Sequence, residues 1–151
     1  MAKKSAKSAK KRSTGSSTWR SSRASPPKHV PTRGLYGWIT HTDFASSDPT
    51  ATKAWCAKVF GWTFKPSFAV PGGDYHLFTY SAQGGGGIHP TGPSESPSSV
   101  PFVHVADAAE AFAQAIREGA EALVAPNRVM EGVTVAIVRA PGGVKIGFSG
   151  P

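Results

Sequence analysis

The sequence predicts an α+β domain made by using one strand–helix–strands unit twice. A strand-like run at residues 39–44 leads through Asp48 and Pro49 into a helical stretch at 50–60, followed by Gly61 and Trp62. A second run at 101–105 leads through Asp107 into a helical stretch at 108–118, followed by Gly119. Each copy then continues into strand-like runs and a Gly-rich turn, 75–80 before 84–87 and 133–139 before Gly142-Gly143. Two such copies in one small domain can pack about a pseudo-twofold axis and leave a cavity between them.

The chain opens with an arm. Ten of the 17 Lys and Arg precede Asp43, the first acidic residue, and the remainder carries 7 Lys/Arg against 9 Asp/Glu, or −2. The net charge of +8 is therefore a +10 arm on a domain near neutrality. Residues 1–33 are almost wholly Lys, Arg, Ser, Ala, Thr and Pro, too poor in large apolar side chains to offset the entropy of ordering them. A disordered basic arm and Pro-rich linker is expected over residues 1–34, and the domain over 35–151. Lys3, Lys4, Lys7, Lys10, Lys11 and Arg12 are the densest positive cluster, suited to weak, salt-dependent contact with nucleic acid or another polyanion. The competing reading of such a charge run is a solvated tail.

Within the domain, Asp48 or Ser47 can cap the first helix, Pro49 suits its first turn and Gly61 its end. Thr52, Trp55, Cys56, Val59 and Phe60 recur at helical spacing and are expected to form its buried face. The second helix repeats the plan: Asp107 caps it, Ala108, Ala111, Phe112, Ala115 and Ile116 face inward, and Glu110, Gln114, Arg117 and Glu118 face water. Strands are expected at 61–65, 74–80, 87–89, 122–124, 133–138 and 144–148. Turns are expected at 71–73, 93–99 and 141–143. The glycine run 84–87 lies between two strands rather than before a helix, so it reads as a bulged, bending strand and not as a phosphate loop.

Several classes are excluded or disfavoured. One cysteine, Cys56, allows no intrachain disulfide, and its apolar helix face marks it as a small core residue. No apolar run spans a bilayer and no secretory signal opens the chain, so no membrane partner is expected. The location expected is intracellular and cytoplasmic, with nuclear or organellar targeting by the arm left open.

Strand alternation places His41 on one face with Ile39 and Asp43, opposite Trp38, Thr40, Thr42 and Phe44. His104 shares a face with Phe102, opposite Val103 and Val105. If His41 and Phe102 face the cavity, His104 joins them. Asp43, Tyr75, Tyr80 and His89 are further candidates for ligand binding. Each has a plainer role: a strand histidine is more often structural than catalytic, Asp43 can cap a turn, and tyrosines are ordinary strand residues. No Ser–His–Asp order or paired-carboxylate arrangement stands out.

His41-Thr42-Asp43-Phe44 with Asp48-Pro49, Val59-Phe60-Gly61-Trp62, Gly87-Ile88-His89-Pro90, Phe102-Val103-His104-Val105-Ala106-Asp107 and Ala140-Pro141-Gly142-Gly143 through Gly147-Phe148 together resemble the vicinal oxygen chelate superfamily, the glyoxalase/bleomycin-resistance-like proteins. The resemblance implies two βαβββ modules whose eight strands form an incomplete barrel around one central cavity, and it makes a homodimer an expectation. It also implies four metal-ligand positions. His41 stands at one and Val100 and Gly147 at two others, while the fourth lies around 87–89, where only His89 could serve. One or two donors do not make a metal site, so no metal and no cofactor are expected. The leading expectation is a small-molecule-binding protein without a complete metal site. The alternatives are a lyase- or dioxygenase-like enzyme using His41 and His104, and an adaptor whose basic arm holds a polyanion.

Overall fold

The computed structural model describes residues 35–151. Their order is β1 (Ile39–Ser46), α1 (Pro49–Phe60), β2 (Thr63–Phe64), β3 (Phe68–Val70), β4 (Gly73–Thr79), β5 (Gly85–Pro90), β6 (Ser98–His104), α2 (Ala108–Arg117), β7 (Glu121–Met130), β8 (Val133–Arg139) and β9 (Lys145–Gly150). The strands form one open sheet in the order β2-β4-β5-β1-β6-β9-β8-β7, with β3 also paired to β4.

The two-module plan is present. Thr63–Phe64 and Phe68–Val70 both pair antiparallel with β4, one after the other, so β2 and β3 are two parts of a single interrupted strand. Each module is then βαβββ. In each, the first strand runs parallel to the last, β1 with β5 and β6 with β9. The modules meet where β1 pairs antiparallel with β6. His41 lies opposite Phe102 and Asp43 opposite Val100, two pairs that exchange under an axis passing by Thr42 and Pro101.

The helices form where capping and periodicity predict. Asp48 Oδ1 accepts from the Ala51 amide at 2.9 Å, and Gly61 closes α1 in the left-handed conformation at φ 68°. Asp107 Oδ1 accepts from the Glu110 amide at 2.9 Å at the start of α2. Both helices lie on one face of the sheet. There Phe44 stacks with Phe78 and Trp62, Phe78 and Ile88 are fully buried, and Ala136 and Val138 are buried beneath α2. Burying side chains such as Phe78 and Ile88 stabilises the fold by about 1.5–3 kcal/mol each.

Four expectations need correction. The buried face of α1 is narrow: Cys56 is buried, but Trp55, Val59 and Phe60 are 56%, 52% and 52% exposed. The indole instead meets Phe60 edge-on at 5.1 Å, and Phe60 reaches Trp62 at 5.1 Å, forming a surface aromatic row. The glycine run does not bulge. Gly85, Gly86 and Gly87 pair in unbroken register with β1 on one side and β4 on the other. The segment expected as a turn at 93–99 already enters β6 at Ser98, and β7 runs far beyond 122–124, because hairpin pairing with β8 carries it to Met130.

Candidate functional site

The sheet face away from the helices carries His41, Asp43, Tyr75 and Phe102. Glycine makes this possible. An added Cβ at Gly87 would lie 1.9 Å from the Tyr75 hydroxyl oxygen, and one at Gly147 would lie 2.3 Å from the Phe102 ring. Bare backbone at these two positions lets an aromatic ring lie flat on the strand beside it. Gly87 pairs with Asp43 across β1–β5, so the Tyr75 ring is carried directly to that carboxylate.

The result is a closed polar triad. The Tyr75 hydroxyl donates to Asp43 Oδ1 in a short hydrogen bond. His41 Nε2 lies 2.9 Å from the same Oδ1 and 3.2 Å from the Tyr75 oxygen. A carboxylate only accepts, and the Tyr75 proton already points at it. Nε2 must therefore carry the imidazole proton, which leaves Nδ1 of neutral His41 as an acceptor. Burial first, and then the Asp43 charge and hydrogen bond, push the Tyr75 phenol far above its ordinary range, so it remains a donor. Phe102 packs edge-on against the His41 ring at 5.8 Å. The His89 ring lies parallel to Tyr75 at 6.1 Å, and its Nδ1 donates to the Pro90 carbonyl at 2.9 Å.

Two candidate residues stand elsewhere. Tyr80 is 48% exposed and packs with Trp62 and Phe78 on the helix side of β4, because it alternates with Tyr75 along the strand. His104 shares a face with Phe102, but its Nδ1 donates to the Ser149 carbonyl at 3.1 Å and its ring lies against Tyr36 at 5.3 Å. No hydrogen bond or ring contact joins His104 to His41, so the expected histidine pair does not form. Asp43 caps no turn, since its carboxylate is taken by His41 and Tyr75. Lys3, Lys4, Lys7, Lys10, Lys11 and Arg12 lie outside the described residues.

The four inferred metal positions can be tested against these side chains. His41 is present, with Nε2 engaged by Asp43. Val100 has no donor atom. Gly147 lacks a side chain, and the space one would enter holds the Phe102 ring. Around 87–89, Gly87 is likewise covered by Tyr75 and only His89 has a donor, its Nδ1 bound to the Pro90 carbonyl. No group of three or more His, Cys, Asp or Glu among the described residues is placed to hold a metal ion. The donor set does not fit a divalent metal.

Beside His41 is a cleft of about 220 Å³, bordered by Lys65, Leu77, Thr79, Ser81 and Gln83 among others. A second depression of about 360 Å³ lies under the first turn of α1, bordered by Ser47, Thr50, Asp74 and His76. His76 is buried there, its Nδ1 2.5 Å from Ser67 Oγ and its Nε2 without a protein partner among the described residues. Sequence alternation located His41, Asp43 and Phe102. It gave no signal for Lys65 or His76, whose settings depend on the break between β2 and β3.

No family model matches the sequence, and no curated protein matches it. Solved structures do match. Methylmalonyl-CoA epimerase from Mycobacterium tuberculosis superposes with a TM-score of 0.63 at 15% identity, covering 82% of this chain and 93% of that one. A hypothetical protein from Bacillus halodurans gives 0.60 at 13% identity, covering 74% and 92%. Methylmalonyl-CoA epimerase from Streptomyces coelicolor, in complex with 2-nitronate-propionyl-CoA, gives 0.56 at 18% identity, covering 76% and 96%. The likeness extends over most of each chain, and it is a likeness of fold.

Proposed function

We propose that this chain, which has the vicinal oxygen chelate fold, binds a small molecule on the inner face of its sheet without a metal, using His41, Asp43 and Tyr75 as the polar anchor. The observation that carries this reading is how few donors stand at the metal-ligand positions: Val100 offers none, Gly147 lies under the Phe102 ring, and at 87–89 Gly87 lies under Tyr75 while His89 Nδ1 is bound to the Pro90 carbonyl. A site rebuilt in this way keeps its concavity and one hydrogen-bonding centre, and those are the requirements of a binding pocket. Asp43 fixes the His41 tautomer, Tyr75 fixes Asp43, and Phe102 and His89 supply aromatic walls.

Ligand screening by thermal shift and NMR tests this reading on the protein and on His41→Ala and Asp43→Asn. Ligands that raise the melting temperature should lose most of that effect in both variants. Elemental analysis of gently purified protein should find no stoichiometric divalent ion. Retention of about one tightly held ion per chain, or ligand binding indifferent to both substitutions, overturns the reading.

The same geometry supports a second reading, as an enzyme in which His41 Nδ1 accepts a proton from the bound molecule. Asp43 would then stabilise the imidazolium that forms, as an orienting carboxylate does in proton-transfer sites. Turnover abolished by His41→Gln, with binding retained, would favour this over simple binding.

The arm carries a separate proposal. Its ten positive charges precede any acidic residue, which suits phosphate neutralisation on a polyanion. Full-length protein should bind DNA or heparin at low salt, and raising salt from about 50 to 200 mM should weaken that by orders of magnitude. Residues 35–151 alone should not bind.

A further inference from the structure

The cleft beside His41 has a chemical character of its own. It is bordered by β1, by the continuation of β2, by β4 and by the turn that joins β4 to β5. At about 220 Å³ it is smaller than the roughly 300–1,000 Å³ of pockets for drug-sized ligands. It suits a molecule of few heavy atoms.

Among the described residues, Lys65 supplies the only formal charge on its rim and no carboxylate borders it. The Lys65 amide donates to the Leu77 carbonyl at 3.0 Å, extending the β2–β4 ladder by one residue. Alternation from Thr63, whose Oγ1 lies 2.9 Å from Thr79 Oγ1, sets the Lys65 side chain on the inner face. Lys65 forms no ion pair with any described residue. Asp43, the carboxylate next to His41, does not border the cleft and is already held by Tyr75 and His41. The rest of the rim is hydroxyl and amide, from Thr79, Ser81 and Gln83, with Leu77 as an apolar patch.

We infer that this cleft takes a small monoanion bearing a hydroxyl group, the simplest class being a short hydroxycarboxylate, with Lys65 facing the anionic group and His41 Nδ1 accepting from the hydroxyl. This rests on the reading of the inner face as a binding site and adds to it the charge and size of the ligand. An unpaired cation on a rim without carboxylates favours an anion over a neutral or cationic molecule of the same shape. The acceptor nitrogen left by the Asp43 contact calls for a donor hydrogen on the ligand.

Three probes of nearly equal shape test it: lactate, lactamide and 1-amino-2-propanol. They are titrated into full-length protein at low ionic strength while NMR follows the side-chain signals of His41 and Lys65. Lactate should bind tightest, about fivefold better than lactamide, as one partly exposed charge pair allows. The amine should bind weakest. Lys65→Gln should bring lactate to the level of lactamide and leave lactamide unchanged, while His41→Phe should weaken both. Equal binding of lactate and lactamide, or a lactate affinity unaffected by Lys65→Gln, overturns the anion assignment while leaving the inner face a binding site. If none of the three moves either signal, the cleft assignment falls. The inner-face reading is judged separately, by the His41→Ala and Asp43→Asn screen.

Discussion

Tyr75 lies across Gly87 so closely that an added Cβ would fall 1.9 Å from its hydroxyl oxygen. The same hydroxyl is the donor that holds Asp43, and through Asp43 it orients His41. A missing side chain on β5 is thus a working part of the site. Gly87→Ala should displace the Tyr75 ring and cost about 1–3 kcal/mol, the range for overpacking a filled position. Chemical denaturation would measure the loss, and the His41 imidazole signals should shift with it. An unchanged midpoint and unchanged His41 signals would mean that the ring does not rest there.

Tyr75→Phe tests the triad without altering the ring. It removes the donor to Asp43 and leaves His41 as the carboxylate's only side-chain partner among the described residues. The expected cost is about 1–2 kcal/mol, for a hydrogen bond to a charged group in a half-buried place. Nitrogen chemical shifts of His41 should still report protonated Nε2, because Asp43 remains to hold it. Asp43→Asn should lose that preference. If Asp43→Asn leaves the tautomer unchanged, the carboxylate does not set it.

His76 gives the fold a pH dependence. Burial, with a smaller contribution from Lys53, lowers its pKa below the ordinary histidine value, so the folded protein holds it neutral. The unfolded chain takes up the proton first as pH falls. Stability should therefore be greatest above the unfolded value near 6.5 and decline below it, by at most about 1.4 kcal/mol per pH unit from this one group. His76→Phe should flatten the decline between roughly pH 6.5 and 5. Urea midpoints across that window would measure it, and an identical slope in the variant would remove His76 as the cause.

Burial separates two large aromatic residues, Phe78 on β4 and Trp55 on α1. Phe78→Ala should cost about 3–5 kcal/mol, because the ring is fully buried between Phe44 and Trp62. Trp55→Ala should cost under about 1 kcal/mol, because more than half of the residue is already in water. Equal losses in melting temperature would show that the surface row of Trp55, Phe60 and Trp62 is a structural cluster in its own right.

The repeated strand–helix–strands unit, both helix caps and the faces of β1 and β6 were legible in the sequence. Each depends on residues close together in the chain. Asp48, Pro49 and Gly61 bracket one helix, Asp107 and Gly119 the other, and alternation alone put His41 with Asp43. The resemblance set Val100 and Gly147 at metal-ligand positions, and neither carries a donor side chain. Tertiary structure decided the rest. Alternation sets a side chain's face, not how far it reaches along the sheet, so it could not tell that His104 turns to Ser149 and Tyr36 instead of His41. Helical spacing set Trp55 on an apolar face without showing that more than half of the residue stays in water. Gly87 read as a bend, yet its role is to leave room for Tyr75, a residue twelve positions earlier in the chain. The triad of His41, Asp43 and Tyr75 exists because β4, β5 and β1 lie side by side in one register, and only long-range strand pairing sets that register.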